Sequence, residues 1–263
     1  MDSTIILTMG RSGSTFFNRK LLGMIGSEWH SRGGNFPMEI PREEFFIKNE
    51  IEYLIKHEPK FDSRIHHRIY GPKYKNRCYY STNKYTIEEM VNACKSEVFK
   101  CHLGQINKNY NLIKKIKSPI LFLIRQDNWS RMLSKYCAII KELMPSHLYD
   151  DLNWSKTIDV EISKSDFNDL TFCGEIQRNL IKTFQRELKD QKNVKFIYYE
   201  DIERPAYWTD EFINELEDFM GVKFANRNHV VPLKKKNRNF INWINKEDVI
   251  NKELIEKNWI NKI

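Results

Sequence analysis

Four short apolar runs, each set among segments of helical periodicity, constrain this chain more than any other feature. TIILTM (4–9), SEVFKCHL (96–103), SPILFLI (118–124) and NVKFIYY (193–199) are rich in β-branched and aromatic residues. Continuous apolar runs of that length are the mark of strands buried on both faces. Between them lie helical patterns. One starts at about Ser14 and sets Phe16, Phe17, Leu21, Leu22 and Met24 on one broad face; others cover 86–95, 107–117, about Asn128 to Leu143, about Asp166 to Asp190, and 209–220, where Gly221 supplies a left-handed cap. Strands alternating with helices predict an α/β fold whose central parallel sheet is covered on both faces. Two stretches break the rhythm. Residues 29–85 and 145–165 are irregular and read as surface insertions suited to recognition. A basic loop and a terminal amphipathic helix, about 246–262, complete the chain.

Bulk properties exclude several classes. With 41% hydrophobic and 30% charged residues, the chain is a globular protein and not a disordered one. No apolar run approaches the roughly 20 residues that span a bilayer, and the N-terminus has no basic leader. Cys78, Cys94, Cys101, Cys137 and Cys173 are odd in number and widely spaced, which argues against a disulfide framework or a zinc site. A cytoplasmic location, without membrane insertion, is the expectation. The net charge of +8 fits nucleic acid, an anionic surface or a polyanionic small ligand. The basic residues are spread along the chain with no recognised nucleic-acid module, so a nucleic-acid partner is not expected.

The segment TIILTMGRSGSTFF (4–17) carries the most chemistry. A strand ends, Gly10 and Gly13 bracket a short turn, and a helix begins at Ser14-Thr15. Glycine allows the backbone to approach an anion with its N–H groups turned inward. The helix N-terminus adds partial positive charge, the hydroxyls of Ser12, Ser14 and Thr15 add donors, and Arg11 adds a full charge. A nucleoside-triphosphate loop needs a lysine before its Ser/Thr, and here that position is Gly13. The plain alternative is a Gly/Ser turn with no ligand.

GRSGST after an N-terminal strand resembles the 5′-phosphosulfate loop of the sulfotransferases that use 3′-phosphoadenosine-5′-phosphosulfate (PAPS). A second segment resembles the same family's 3′-phosphate motif. ILFLIRQDNWSRMLSKY (120–136) places Arg125 at the end of a strand and Ser134 nine positions on, followed by an aromatic residue. That spacing is one longer than in many cytosolic members and, with Arg-x-Asp, is similar to bacterial trehalose-type and carbohydrate sulfotransferases. Ser130 is the rival contact, and an Arg125–Asp127 pair is the plain alternative. The resemblance implies one sulfotransferase domain spanning 1–263, a three-layer α/β/α sandwich of P-loop-like kind.

It also implies roles. Gly10, Arg11, Ser12, Gly13, Ser14, Thr15 and Phe16 would hold the 5′-phosphosulfate, and Arg125 and Ser134 the 3′-phosphate. Lys234, Lys235 or Arg238, in the basic segment VPLKKKNRNFINW, would close over the nucleotide. Arg11 would stabilise charge on the departing phosphate. Lys-Cys-His-Leu (100–103) is similar to the family's Lys-x-His-Leu element, in which the histidine is the general base. His102 would take the acceptor's proton, with Lys100 beside the group in transfer. Glu28, at the place where carbohydrate members carry a glutamate base, is the competing candidate. IYYEDIERP (197–205) resembles a segment whose role in the family is largely structural. The implied activity moves a sulfuryl group to a hydroxyl or amine of a small-molecule or carbohydrate acceptor, releases adenosine 3′,5′-bisphosphate and requires no metal. The insertions 29–85 and 145–165 would recognise the acceptor. A P-loop-type kinase and a non-enzymatic basic nucleotide-binding module are the alternatives.

Overall fold

The computed structural model describes residues 3–10, 12–27, 97–103, 110–139, 158–161, 164–231 and 238–241. Four of the strands are β1 (Thr4–Thr8), β2 (Val98–His102), β3 (Ile120–Ile124) and β5 (Val194–Tyr198). They form one parallel sheet in the order β2-β1-β3-β5. The helices are α1 (Ser14–Ile25), α2 (Tyr110–Lys115), α3 (Asn128–Ile139), α4 (Lys164–Leu188), α5 (Tyr199–Ile202) and α6 (Asp210–Met220). Among the described residues no helix is long and apolar enough to cross a membrane.

Strand alternation sorts the apolar side chains between two cores. Ile5, Leu7, Phe99, Cys101, Ile120, Phe122 and Ile124 face Ile113 of α2 and Leu180, Ile181, Phe184 and Leu188 of α4. Ile6, Val98, Leu121, Leu123 and Ile197 face Phe17, Leu21, Leu22 and Met24 of α1 and Phe212, Ile213, Leu216 and Met220 of α6. All five residues of β1 and all five of β3 are buried, because both sheet faces are covered. Phe122 meets the rings of Phe184 and Phe196 at centroid distances of 6.4 and 5.6 Å. Burial of one such side chain is worth about 1.5–3 kcal/mol, so these two clusters hold the sheet.

Three expectations are corrected. The 145–165 stretch, read as irregular, contains strand β4 (Ile158–Glu161). The basic segment before the C-terminus contains strand β6 (Arg238–Ile241), and β4 and β6 pair in parallel with Ile158 opposite Arg238. Residues 158–162 do alternate apolar and acidic side chains, but their partner lies far along the chain. Tyr199 does not end strand β5; it opens helix α5. The 29–85 insertion, the 86–95 helix and the terminal helix lie outside the described residues.

Helix α6 shows how local signals become a fixed geometry. Thr209 caps its start, its hydroxyl accepting from the Phe212 amide at 3.3 Å, and Gly221 ends it at φ 67°. Near its end Glu217 is buried, yet its carboxylate accepts from the Phe224 amide at 2.8 Å, from Lys223 at 3.0 Å and from Arg227 at 2.6 Å. The amide bond, followed by these two cations, holds its pKa well below the usual 4.5, at about 2, against the opposing effect of burial. A carboxylate depressed in the folded state stabilises fully above its unfolded pKa and loses that contribution as pH falls through the folded value. Glu217→Gln should therefore lower the melting temperature at neutral pH, by a margin that narrows as pH falls from about 4.5 to about 2. Melting curves across that range check this; a constant margin contradicts it.

Candidate functional site

In an open parallel sheet, ligands lie beyond the C-terminal strand ends, where the strand order reverses. Here the chain leaves β1 for β2 on one side and later returns as β3 on the other. The strand ends are level: Thr8 lies opposite both His102 and Leu123, and Ile124 opposite Tyr198. The turns after β1, β3 and β5 thus meet at one edge, and the Thr8 hydroxyl ties two strands by donating to the Leu123 carbonyl at 3.0 Å.

The turn after β1 leads into α1 through a left-handed glycine. Gly13 has φ 78° and occupies the cap position before Ser14, with no side-chain cap on α1. The Phe17 amide donates to its carbonyl at 3.0 Å. Ser12 and Ser14 are buried, and the Ser12 hydroxyl has no hydrogen-bond partner among the described residues. A buried hydroxyl left in that state costs about 1–3 kcal/mol, and an anion oxygen at the turn would satisfy it. Thr15 and Phe16 are half-buried, and Phe16 packs on the α1-side core. Lys100, on the α1 face of β2, brings its Nζ to 3.5 Å from the Thr15 hydroxyl.

Arg125 follows β3 directly, and its guanidinium stacks over the Tyr199 ring, 4.9 Å from the centroid. The same ring lies on Gly13, where a Cβ would come within 2.1 Å of it. One aromatic side chain therefore touches both the β1 turn and the β3 turn. Burial pushes the Tyr199 phenol up to about 12, aided by Glu203 and opposed by Arg125. Glu200, the next residue, accepts from the amides of Gln126 at 3.1 Å and Asp127 at 2.9 Å, which fixes the turn carrying Arg125. Asp127 in turn accepts from the Ser130 amide at 2.9 Å and caps α3. Ser134 lies half-buried on that helix.

Of the sequence candidates, the structure brings Gly10, Ser12 to Phe16, Lys100 and Arg125 to one edge of the sheet. His102 ends β2 at the same edge, as its backbone register with Thr8 fixes. Arg238 begins β6, in the other sheet, and not a loop. Arg11, Glu28, Lys234 and Lys235 lie outside the described residues. Sequence reasoning passed over Tyr199 and Glu200, having assigned their segment a structural role, and missed buried Arg131, Asn128 and Gln177. The available signals were a Tyr-Glu pair directly after a strand and an Asn/Arg pair at i, i+3 on a helix. A scan against protein-family models matched none, and a search of curated proteins found no relative.

Gly13 has two reasons to be glycine, its positive φ and the ring against it. Gly13→Ala should destabilise the fold by roughly 1–3 kcal/mol, combining left-handed strain with displacement of Tyr199. Urea denaturation measures this, and a change under about 0.5 kcal/mol would refute the packing described.

Proposed function

We propose that this protein is a PAPS-dependent sulfotransferase that sulfates a hydroxyl or amine of a small-molecule or carbohydrate acceptor. The observation that carries the reading is the adjacency of two anion-suited turns. The Gly10–Thr15 turn and the Arg125 turn extend from hydrogen-bonded neighbours, β1 and β3, whose axes in any sheet lie about 4.8 Å apart. Tyr199 touches both. That spacing suits the two phosphate-bearing ends of one adenosine. The Ser12 hydroxyl, without a partner among the described residues, and the left-handed Gly13 at the start of α1 support a phosphate oxygen at the first turn. The guanidinium of Arg125 suits bidentate recognition of the other phosphate, with Ser134 on the following helix as a further donor.

The chemistry is an in-line displacement. A base, His102 or Glu28, takes the acceptor proton as the acceptor oxygen or nitrogen forms its bond to sulfur. The bond from sulfur to the bridging phosphate oxygen breaks, and the electron pair leaves with adenosine 3′,5′-bisphosphate. Lys100 and Arg11 supply positive charge to the group in transfer and to the departing phosphate. Closure over the nucleotide falls to Lys234 or Lys235, which precede β6, or to Arg238 at its start. The absence of a lysine before Ser14 weighs against a nucleoside-triphosphate kinase.

A thermal-shift screen tests the reading. Adenosine 3′,5′-bisphosphate without magnesium should stabilise the protein, by about 2.7 kcal/mol at a hundredfold excess over its dissociation constant. ADP should do far less. Stabilisation by Mg-ATP alone would point to a kinase, and by an oligonucleotide alone to a binding module. Arg125→Ala should weaken nucleotide binding. His102→Ala should leave it nearly intact while lowering turnover about 10²–10⁴-fold, measured with labelled PAPS across an acceptor panel. Full activity in His102→Ala would move the base to Glu28.

A further inference from the structure

The α3–α4 interface contains a fully buried arginine that the proposed chemistry does not use. Arg131 has no solvent exposure, and its neighbours Asn128 and Gln177 are 2% and 0% exposed. Its guanidinium donates through Nη1 to Gln177 Oε1 at 2.6 Å and through Nε to Asn128 Oδ1 at 3.0 Å, with Nη2 donating to the same Asn128 oxygen. Asn128 is itself anchored to α4, its Nδ2 donating to the Gly174 carbonyl at 2.9 Å. The fork is therefore oriented from two helices. Its Nη1 also reaches the Gly10 carbonyl, at 3.4 Å, at the start of the β1 turn.

Burying a guanidinium carries a desolvation cost that a well-packed apolar side chain would avoid. Packing α3 on α4 therefore does not account for an arginine here. The contact with Gly10 ties this charge to the β1 turn. An anion cradle works only if amide N–H groups face the ligand and carbonyl oxygens face away, since a carbonyl turned toward an anion repels it. A buried cation drawing the Gly10 carbonyl toward the α3–α4 side holds the turn in the anion-accepting sense. It also places a positive charge behind the turn, where low polarity makes that charge count for more than in water.

We propose that Arg131 is a positioning residue of the 5′-side turn: held by Asn128 and Gln177, it fixes the Gly10 carbonyl away from the bound anion without touching the ligand. The proposal rests on the sulfotransferase reading, and the two fail differently. Competitive titrations compare adenosine 3′,5′-bisphosphate with adenosine 3′-monophosphate, which lacks the group that the turn would hold. Arg131→Met should weaken the bisphosphate about 10- to 100-fold, the scale of a hydrogen bond to a charged group. It should leave the 3′-monophosphate within about twofold, a selectivity that general loosening of the fold would not produce. Gln177→Met removes one anchor while keeping the charge, and should give a smaller loss of the same selectivity, which covers an Arg131→Met variant that does not fold. Equal losses for both ligands, or no loss, in the variants that fold would overturn the role of Arg131 alone. A parent protein that binds neither nucleotide would overturn the sulfotransferase reading and this role with it.

Discussion

The parallel pairing of β1 between β2 and β3 is the constraint on which the rest of the structure depends. A parallel strand cannot return by a tight turn; each crossover must climb over a sheet face, usually as a helix. Every strand therefore releases its chain at the same edge. β1 is central and its two neighbours lie on opposite sides of it, so the strand order reverses at β1 and β3. Covering both faces with helices then demands the apolar runs at β1 and β3, whose residues alternate between the α1–α6 core and the α2–α4 core. The polar chemistry is confined to the edge because the sheet itself has no room for it.

At that edge, several local preferences are overridden together. Gly13 is left-handed, the Ser12 hydroxyl is buried with no partner among the described residues, and a guanidinium lies wholly inside the α3–α4 interface. The buried hydroxyl and the buried guanidinium each carry a desolvation cost, and sequences tolerate such departures chiefly where a site needs them. The stabilising interactions lie nearby. Glu200 satisfies two backbone amides of the β3 turn, Asp127 caps α3, and Lys100 meets Thr15 at the first turn of α1. The turns are thus held by contacts from other elements, and their own backbones need not supply the rigidity.

How much of this was legible in the sequence depends on how local the determining interaction is. The sheet strands were legible because double burial removes polar residues from them, leaving ILFLI and TIILT as unbroken runs. Helix α6 was legible because Thr209 and Gly221 mark its ends. The Gly10–Thr15 turn and Arg125 were legible because glycines, hydroxyls and a cation cluster within a few residues of a strand end. The pairing of β4 with β6 was not, because register opposite a strand far along the chain leaves no local trace, and Ile158–Glu161 is half acidic. Nor was the use of Tyr199, Glu200 and Arg131. Their meaning comes from contacts with Gly13, Gln126 and Gly10, which only the assembled sheet brings near.

Tyr199 shows what such a contact adds beyond packing. A phenol beside Arg125 would ionise more readily, and a phenolate at this place would set negative charge against the amides of the Gly13 turn. Burial and the Glu203 carboxylate act the other way and prevail, so the phenol stays neutral to about pH 12. The neutral ring adds no charge of its own beside Arg125, since a ring face attracts a cation through its quadrupole alone. An aspartate in the same place would hold the arginine more tightly and compete with any phosphate for it. The aromatic partner thus joins the β1 and β3 turns without placing a charge of its own between them.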